Sequence, residues 1–203
     1  MKTKCIALGA LLIPSISHGA TGVFGSYLEI FTTSGTVYVA QQYTGSNPSF
    51  NGANLGTFDL TDDLSISRAS LLTWKSDEGG VGDVTGAEIQ YRVYPTSGSP
   101  GSFTTVALGF GSNAPSTDLG GNGFGGGGDQ EWRSTINVDL MAAAGGTGDY
   151  TVEVFYRAFT NEGDRFSNNG GANYTATFSI IPEPSTALLG GLGMLALLRR
   201  RRA

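Results

Sequence analysis

Apolar and polar residues alternate most cleanly from Gly86 to Tyr94, where Ala87, Ile89, Tyr91 and Val93 interleave with Glu88, Gln90, Arg92 and Tyr94. A period of two puts the first set on one face of a strand and the second on the other, so one face is packed and the other wet. The pattern recurs where Trp132, Ser134, Ile136, Val138 and Leu140 alternate with Arg133, Thr135, Asn137 and Asp139, predicting a strand that buries a tryptophan. Tyr150 to Phe159, opened by Gly148-Asp149, predicts another, and Tyr174 to Ile180 the last. Upstream, Tyr27 to Phe31 and Thr36 to Gln41 flank Thr32-Thr33-Ser34-Gly35 as a hairpin. Leu55 to Leu60, Leu64 to Lys75 and Phe103 to Phe110 complete the set. Helical periodicity is almost absent, with Met141 to Ala144 offering a single turn.

Short strands with hairpin-length connections and no intervening helices predict an all-β chain, folded as a single antiparallel β-sandwich, immunoglobulin-like or jelly-roll. Composition agrees, because 32 glycines in 203 residues are about twice the usual share of about 7%, as many tight turns require. Residues 21–180 form one domain of a size that buries a real core. Glycine is densest in the loop 111–129, GSNAPSTDLGGNGFGGGGD, which is expected to carry too little apolar surface to order itself. Its aromatic, Phe124, is expected to stay undocked, so shortening the loop is expected to cost little stability.

The two ends change the picture from a plain domain to a transported one. Residues 1–20 read as a secretory signal peptide: Lys2 and Lys4 are basic, Ile6 to Ile13 apolar, and Ser17, Gly19 and Ala20 small enough for cleavage after Gly19 or Ala20. The C-terminus, residues 181–203, reads IPEPSTALLGGLGMLALLRRRRA. Pro182, Glu183 and Pro184 form a stiff, extended tripeptide with two backbone donors removed. Ala187 to Leu198 follows as an apolar segment of about twelve residues, about 18 Å as a helix and a short span of a core of about 30 Å. Arg199, Arg200, Arg201 and Arg202 then stay cytoplasmic by the positive-inside rule, leaving everything before the span outside.

A Pro-Glu-Pro motif, an apolar span and a basic tail, in that order at the C-terminus, resemble the PEP-CTERM sorting signal of bacterial exported proteins. The resemblance implies recognition of Pro182, Glu183 and Pro184 by the membrane protease exosortase, retention in the inner membrane by the short transmembrane helix, and orientation by Arg199 to Arg202. It implies an inner-membrane anchor before processing and the cell surface or extracellular matrix afterwards. The body more loosely resembles a recurrent β-sandwich module of secreted bacterial proteins, through Thr73 to Pro95, Gly128 to Leu140 and Asn161 to Phe178. No activity transfers with that module. Gly148-Asp149-Tyr150 resembles the opening of a tyrosine corner, in which the phenol caps a backbone carbonyl.

Candidate chemistry is narrowed by what export discards. The one cysteine, Cys5, and the one histidine, His18, both precede the cleavage sites, so the mature chain has no thiol or imidazole for a catalytic triad, a disulfide or the usual zinc site. Residues 21–181 carry six bases, Arg68, Lys75, Arg92, Arg133, Arg157 and Arg165, against sixteen of the seventeen acids, a balance of −10 that repels nucleic acid and anionic lipid. No cofactor is expected, calcium being a weak candidate at the oxygen-rich loops Asp62-Asp63, Asp77-Glu78 with Asp83, and Asn161-Glu162-Gly163-Asp164. None has EF-hand spacing, and solvated turns are the plainer reading. A glycan hydrolase would need two carboxylates about 5 to 10 Å apart, a pair that sixteen acids supply by chance, so the chain reads as no enzyme. Trp74, Tyr94, Phe155 and Phe159 fall off the core alternation; Trp74 and Tyr94 are the candidates for stacking on an extracellular polysaccharide. The sequence thus predicts an exported structural or binding component, with a carbohydrate-binding module as the alternative and a carboxylate hydrolase behind it.

Overall fold

Eleven strands among the described residues build two packed sheets; the computed structural model describes residues 21–43, 45–76, 82–113, 118–120 and 127–183. In chain order they are β1 (Thr21–Phe31), β2 (Gly35–Gln41), β3 (Ala53–Asp59), β4 (Ser65–Lys75), β5 (Val84–Pro95), β6 (Thr104–Leu108), β7 (Phe110–Asn113), β8 (Asp129–Asp139), β9 (Gly148–Thr160), β10 (Arg165–Ser167) and β11 (Tyr174–Ile181). The first sheet runs β2-β1-β4-β8-β7 and the second β3-β11-β9-β5-β6, with β10 added beside β9. This is the β-sandwich that the alternation predicts.

Each clean alternation becomes a strand with one face in the core. Ala87 and Ile89 on β5 meet Val152, Val154, Tyr156 and Ala158 of β9, and across the sandwich lie Leu28, Ile30, Ile66, Leu71 and Val138. Trp132 is buried as its register requires, and its indole N–H donates to Thr73 Oγ1 at 3.2 Å. The expected helical turn is α1 (Leu140–Ala144): Asp139 accepts from the Ala142 amide at 2.9 Å, and Gly145 ends the turn at φ 78°, a conformation that glycine adopts without strain.

Three features depart from the sequence reading. Phe103 to Phe110 is two strands, because the chain crosses from the second sheet to the first at Gly109, whose amide bonds Ser134 Oγ at 2.8 Å while its carbonyl accepts from Arg133 N at 2.8 Å. The sandwich is mixed, since β11 pairs with β3 in parallel, in the order Ala176 to Ala53 through Ile181 to Asp59. The tyrosine corner is not at Tyr150, whose ring stacks on Phe178 at 5.6 Å; the phenol that reaches a backbone carbonyl is that of Tyr156, donating to Tyr27 O at 2.8 Å in the core.

The glycine-dense loop is also more tied down than expected. Asp118 and Leu119 are buried, and Leu119 joins Tyr27, Val39 and Leu72 in a second apolar cluster on the outer face of the first sheet. The Leu119 amide donates to Glu131 Oε1 at 3.1 Å, and Asn47 Nδ2 donates to Gly120 O at 2.9 Å. One leucine among glycines suffices because the site it fills is already apolar. Phe124 lies outside the described residues, as do the signal peptide 1–20, Pro184, the apolar span Ala187 to Leu198 and Arg199 to Arg202. Among the described residues no helix is long and apolar enough to cross a membrane.

Candidate functional site

The ends of the strands define two ends of the sandwich. At one, β3 and β11 finish side by side at Asp59 and Ile181, β9 starts with Gly148 opposite Ile180, and β1 and β8 finish at Phe31 and Asp139 against Ser65. This is the exit end, where the chain leaves the body. Ile181 is the last strand residue, and Pro182 and Glu183 follow it directly, both exposed. Proline ends the strand because it has no amide to continue the ladder. The tripeptide therefore begins with no linker at all.

The surface around that exit is apolar with an acidic rim. Phe31, Leu60 and Ile181 are 40%, 51% and 45% exposed. A cleft of about 620 Å³ is lined by Phe31, Thr57, Phe58, Thr61, Asp62 and Asp63 among others, and a neighbouring one of about 400 Å³ by Leu60, Asp62, Asp63, Asp139 and Met141 among others. Among the described residues neither cleft is lined by a lysine or arginine.

The two predicted stacking residues sit on opposite faces of the molecule and form no common site. Trp74 is on β4, on the outer face of the first sheet, opposite Gly22 of β1 and Asp129 of β8. Its indole lies over Gly22 so closely that a Cβ there would stand 2.3 Å from Nε1. The residue keeps 36% of its surface in solvent. Farther along the same face are Phe24 and Tyr43, edge to face at 4.7 Å, and Gly25, where a Cβ would meet Leu72 and Tyr43 at 3.0 and 3.1 Å. Tyr43 follows the end of β2, and the paired glycines opposite Trp74 and Leu72 are the sequence signal that an aromatic approaches the backbone there.

Tyr94 belongs to a polar lattice on the outer face of the second sheet. Its hydroxyl donates to Glu153 Oε2 at 3.2 Å, and Arg92 lies over its ring at 5.7 Å and over Phe103 at 4.1 Å. Arg92 also bonds both oxygens of buried Glu153, at 2.9 Å each, and Asn173 Nδ2 adds a bond to Oε1 at 2.6 Å. Burial first, then the Glu153 charge, raises the Tyr94 phenol above its ordinary range. Phe155 and Phe159 share this face but are covered, Phe155 by Phe103 at 4.9 Å and Phe159 by Arg157 at 4.4 Å. Both sides of β9 are therefore packed.

The acidic loops resolve into turns and ion pairs. Asp62 Oδ2 accepts from Asp59 N at 2.8 Å, Asp83 pairs with Lys75 at 3.1 Å, Glu162 with Arg165 at 3.5 Å and Asp164 with Arg157 at 3.5 Å. Asp77 and Glu78 lie outside the described residues. Among the described residues no three His, Cys, Asp or Glu side chains gather in a metal-holding group. Elsewhere Arg68 donates to both oxygens of Glu29 at 2.7 Å, and these bonds first, helped by Ser67 against the cost of burial, lower the Glu29 carboxyl.

A β-sandwich whose penultimate layer strand runs out directly into an exposed Pro-Glu pair is the architecture of a body carried on a C-terminal processing signal. Residues 181–202 match the family model of the PEP-CTERM protein-sorting motif. The chain is thus an exported protein sorted by exosortase, a membrane protein that processes this motif. No curated protein matches this chain.

Proposed function

We propose that the sorted body is a non-catalytic binding component of the cell surface or extracellular matrix, and that its ligand is an extracellular polysaccharide held on the outer face of the first sheet. The observation that carries this reading is Trp74, an indole packed against Gly22 on the outer face of the first sheet and 36% exposed. A pyranose ring presents a sheet of C–H bonds that packs on an exposed indole. Tyr43, 42% exposed, extends the same face. The non-catalytic part of the reading is supported by the mature composition and by the buried carboxylates Glu88, Glu131 and Glu153, each ion-paired to an arginine.

The test is binding of the purified exported protein to a glycan array, with Trp74→Ala and Gly22→Ala beside the parent. Both variants are expected to lose binding, the second because its new methyl lifts the indole off the sheet without removing it. Retention of the parent's glycan profile by Trp74→Ala would overturn the reading.

A further inference from the structure

We infer that the exit end of the sandwich is a docking surface for the processing protease, so that exosortase reads the folded body together with the tripeptide. The argument starts from the missing linker. Ile181 is still paired with Asp59 of β3, and Pro182 is the next residue. An enzyme that grips Pro182 and Glu183 is thereby brought against Asp59 and Leu60, about one strand spacing, 4.8 Å, to the side.

What it meets there is not an ordinary loop surface. Three of the large apolar side chains that stand exposed on the body, Phe31, Leu60 and Ile181, lie at this end: Phe31 and Leu60 line clefts that share Thr61, Asp62 and Asp63, and Ile181 pairs with the residue before Leu60. An apolar centre with a polar rim is the anatomy of a protein interface. The rim is of one sign, with Asp62, Asp63 and Asp139 on the clefts and Glu183 in the motif itself. That charge selects the occupant. A bilayer rich in anionic lipid is repelled by it, whereas a protein face with basic residues around an apolar patch is complementary. The tether sets the distance: residues 182–186 separate the body from the apolar span and reach at most about 18 Å when extended, so this end stays within reach of a membrane-embedded enzyme. The docking is independent of any ligand the body takes after release.

The experiment is a pulse-chase of full-length chain in cells that contain the sorting protease, comparing the parent with Phe31→Ser/Leu60→Ser and with Asp62→Asn/Asp63→Asn. Phe166→Ser, an equally exposed aromatic on the outer face of the second sheet, is the control, and melts of each exported variant verify folding. The apolar pair is expected to slow processing about tenfold, as loss of interface anchors does, and the acidic pair by a smaller factor that shrinks at high salt. A Gly-Ser spacer of six residues placed between Ile181 and Pro182 is expected to slow processing too, since motif and end face can then no longer be held at once. Parental rates in the apolar pair, or faster processing with the spacer, would overturn the proposal. So would slow processing in cells that disappears with detergent-solubilised enzyme, which assigns the face to lipid.

Discussion

Replacing Leu119 with alanine tests whether the glycine-dense loop is a structural part of the sandwich. Leu119 is 7% exposed and packs on Tyr27, Val39 and Leu72, outside the main core. Truncating a buried leucine costs about 2 to 5 kcal/mol depending on how far the site collapses. The lower end applies here, because a loop can shift over its seat more freely than a strand. Undocking sets the scale: burial of one leucine is worth about 1.5 to 3 kcal/mol and the bonds to Glu131 and from Asn47 about 1 kcal/mol each, so these contacts of Leu119 and Gly120 together contribute about 4 kcal/mol. We expect a loss of about 2 to 3 kcal/mol, and at about 2 to 4 °C per kcal/mol for a domain of this size the melting temperature falls by about 5 to 10 °C. Thermal melts followed by circular dichroism measure this, with hydrogen exchange at the Leu119 amide as a local readout. A melt within about 1 °C of the parent, together with unchanged exchange at that amide, would refute the reasoning and return the loop to the undocked state that its glycine content predicts.

Four further outcomes follow from particular contacts. Glu29 has its carboxyl lowered by Arg68, so its contribution is present above the unfolded carboxylate value, about 4.3, and is lost as pH falls below that through the folded value; Glu29→Gln should flatten the acid limb of a stability-versus-pH curve, and an unchanged limb counts against the pairing. Tyr156 is fully buried and its phenol is raised well above the ordinary range by burial, so the stability it lends is full below about pH 10 and declines above it, where the unfolded chain ionises. Tyr156→Phe should remove that alkaline decline and cost about 1 to 2 kcal/mol for the lost bond to Tyr27 O, as read by denaturant titration. Glu183→Ala should leave export intact and hold full-length chain in the membrane fraction; equal processed product from parent and variant on an immunoblot would contradict the role of the motif.

The sequence was most legible where one physical signal sufficed. Alternation at Gly86 to Tyr94 and at Trp132 to Leu140 located β5 and β8 and assigned their core faces, because burial of one face is itself a period-two constraint, but the face of β5 expected to be wet is covered, with Glu88 buried beside Arg157. It was least legible where a residue answers to a distant partner. The β3–β11 pairing joins segments more than a hundred residues apart and leaves no local trace. The sheet change at Gly109 is invisible because both halves, Thr104–Leu108 and Phe110–Asn113, are extended. The three residues of β10 are too few to show a period. Of the candidate sites, the tripeptide was legible from order alone, while Trp74 and Tyr94 were correctly assigned to outer faces but not to different sheets. The run Ser70-Leu71-Leu72-Thr73 did carry a signal of two covered faces, which the later burial of Leu72 under Leu119 explains.

The strand that leads to the motif is an interior one, bonded to β9 along one side and β3 along the other. That position has a mechanical meaning. Tension delivered through the C-terminus pulls β11 along its own axis. The ladder bonds on both flanks, Tyr174 through Ile180 to β9 and Ala176 through Ile181 to β3, lie across that axis and must shear together instead of opening one by one. A body hung from an edge strand would peel at far lower force; this one is attached at a place where the sheet resists as a unit.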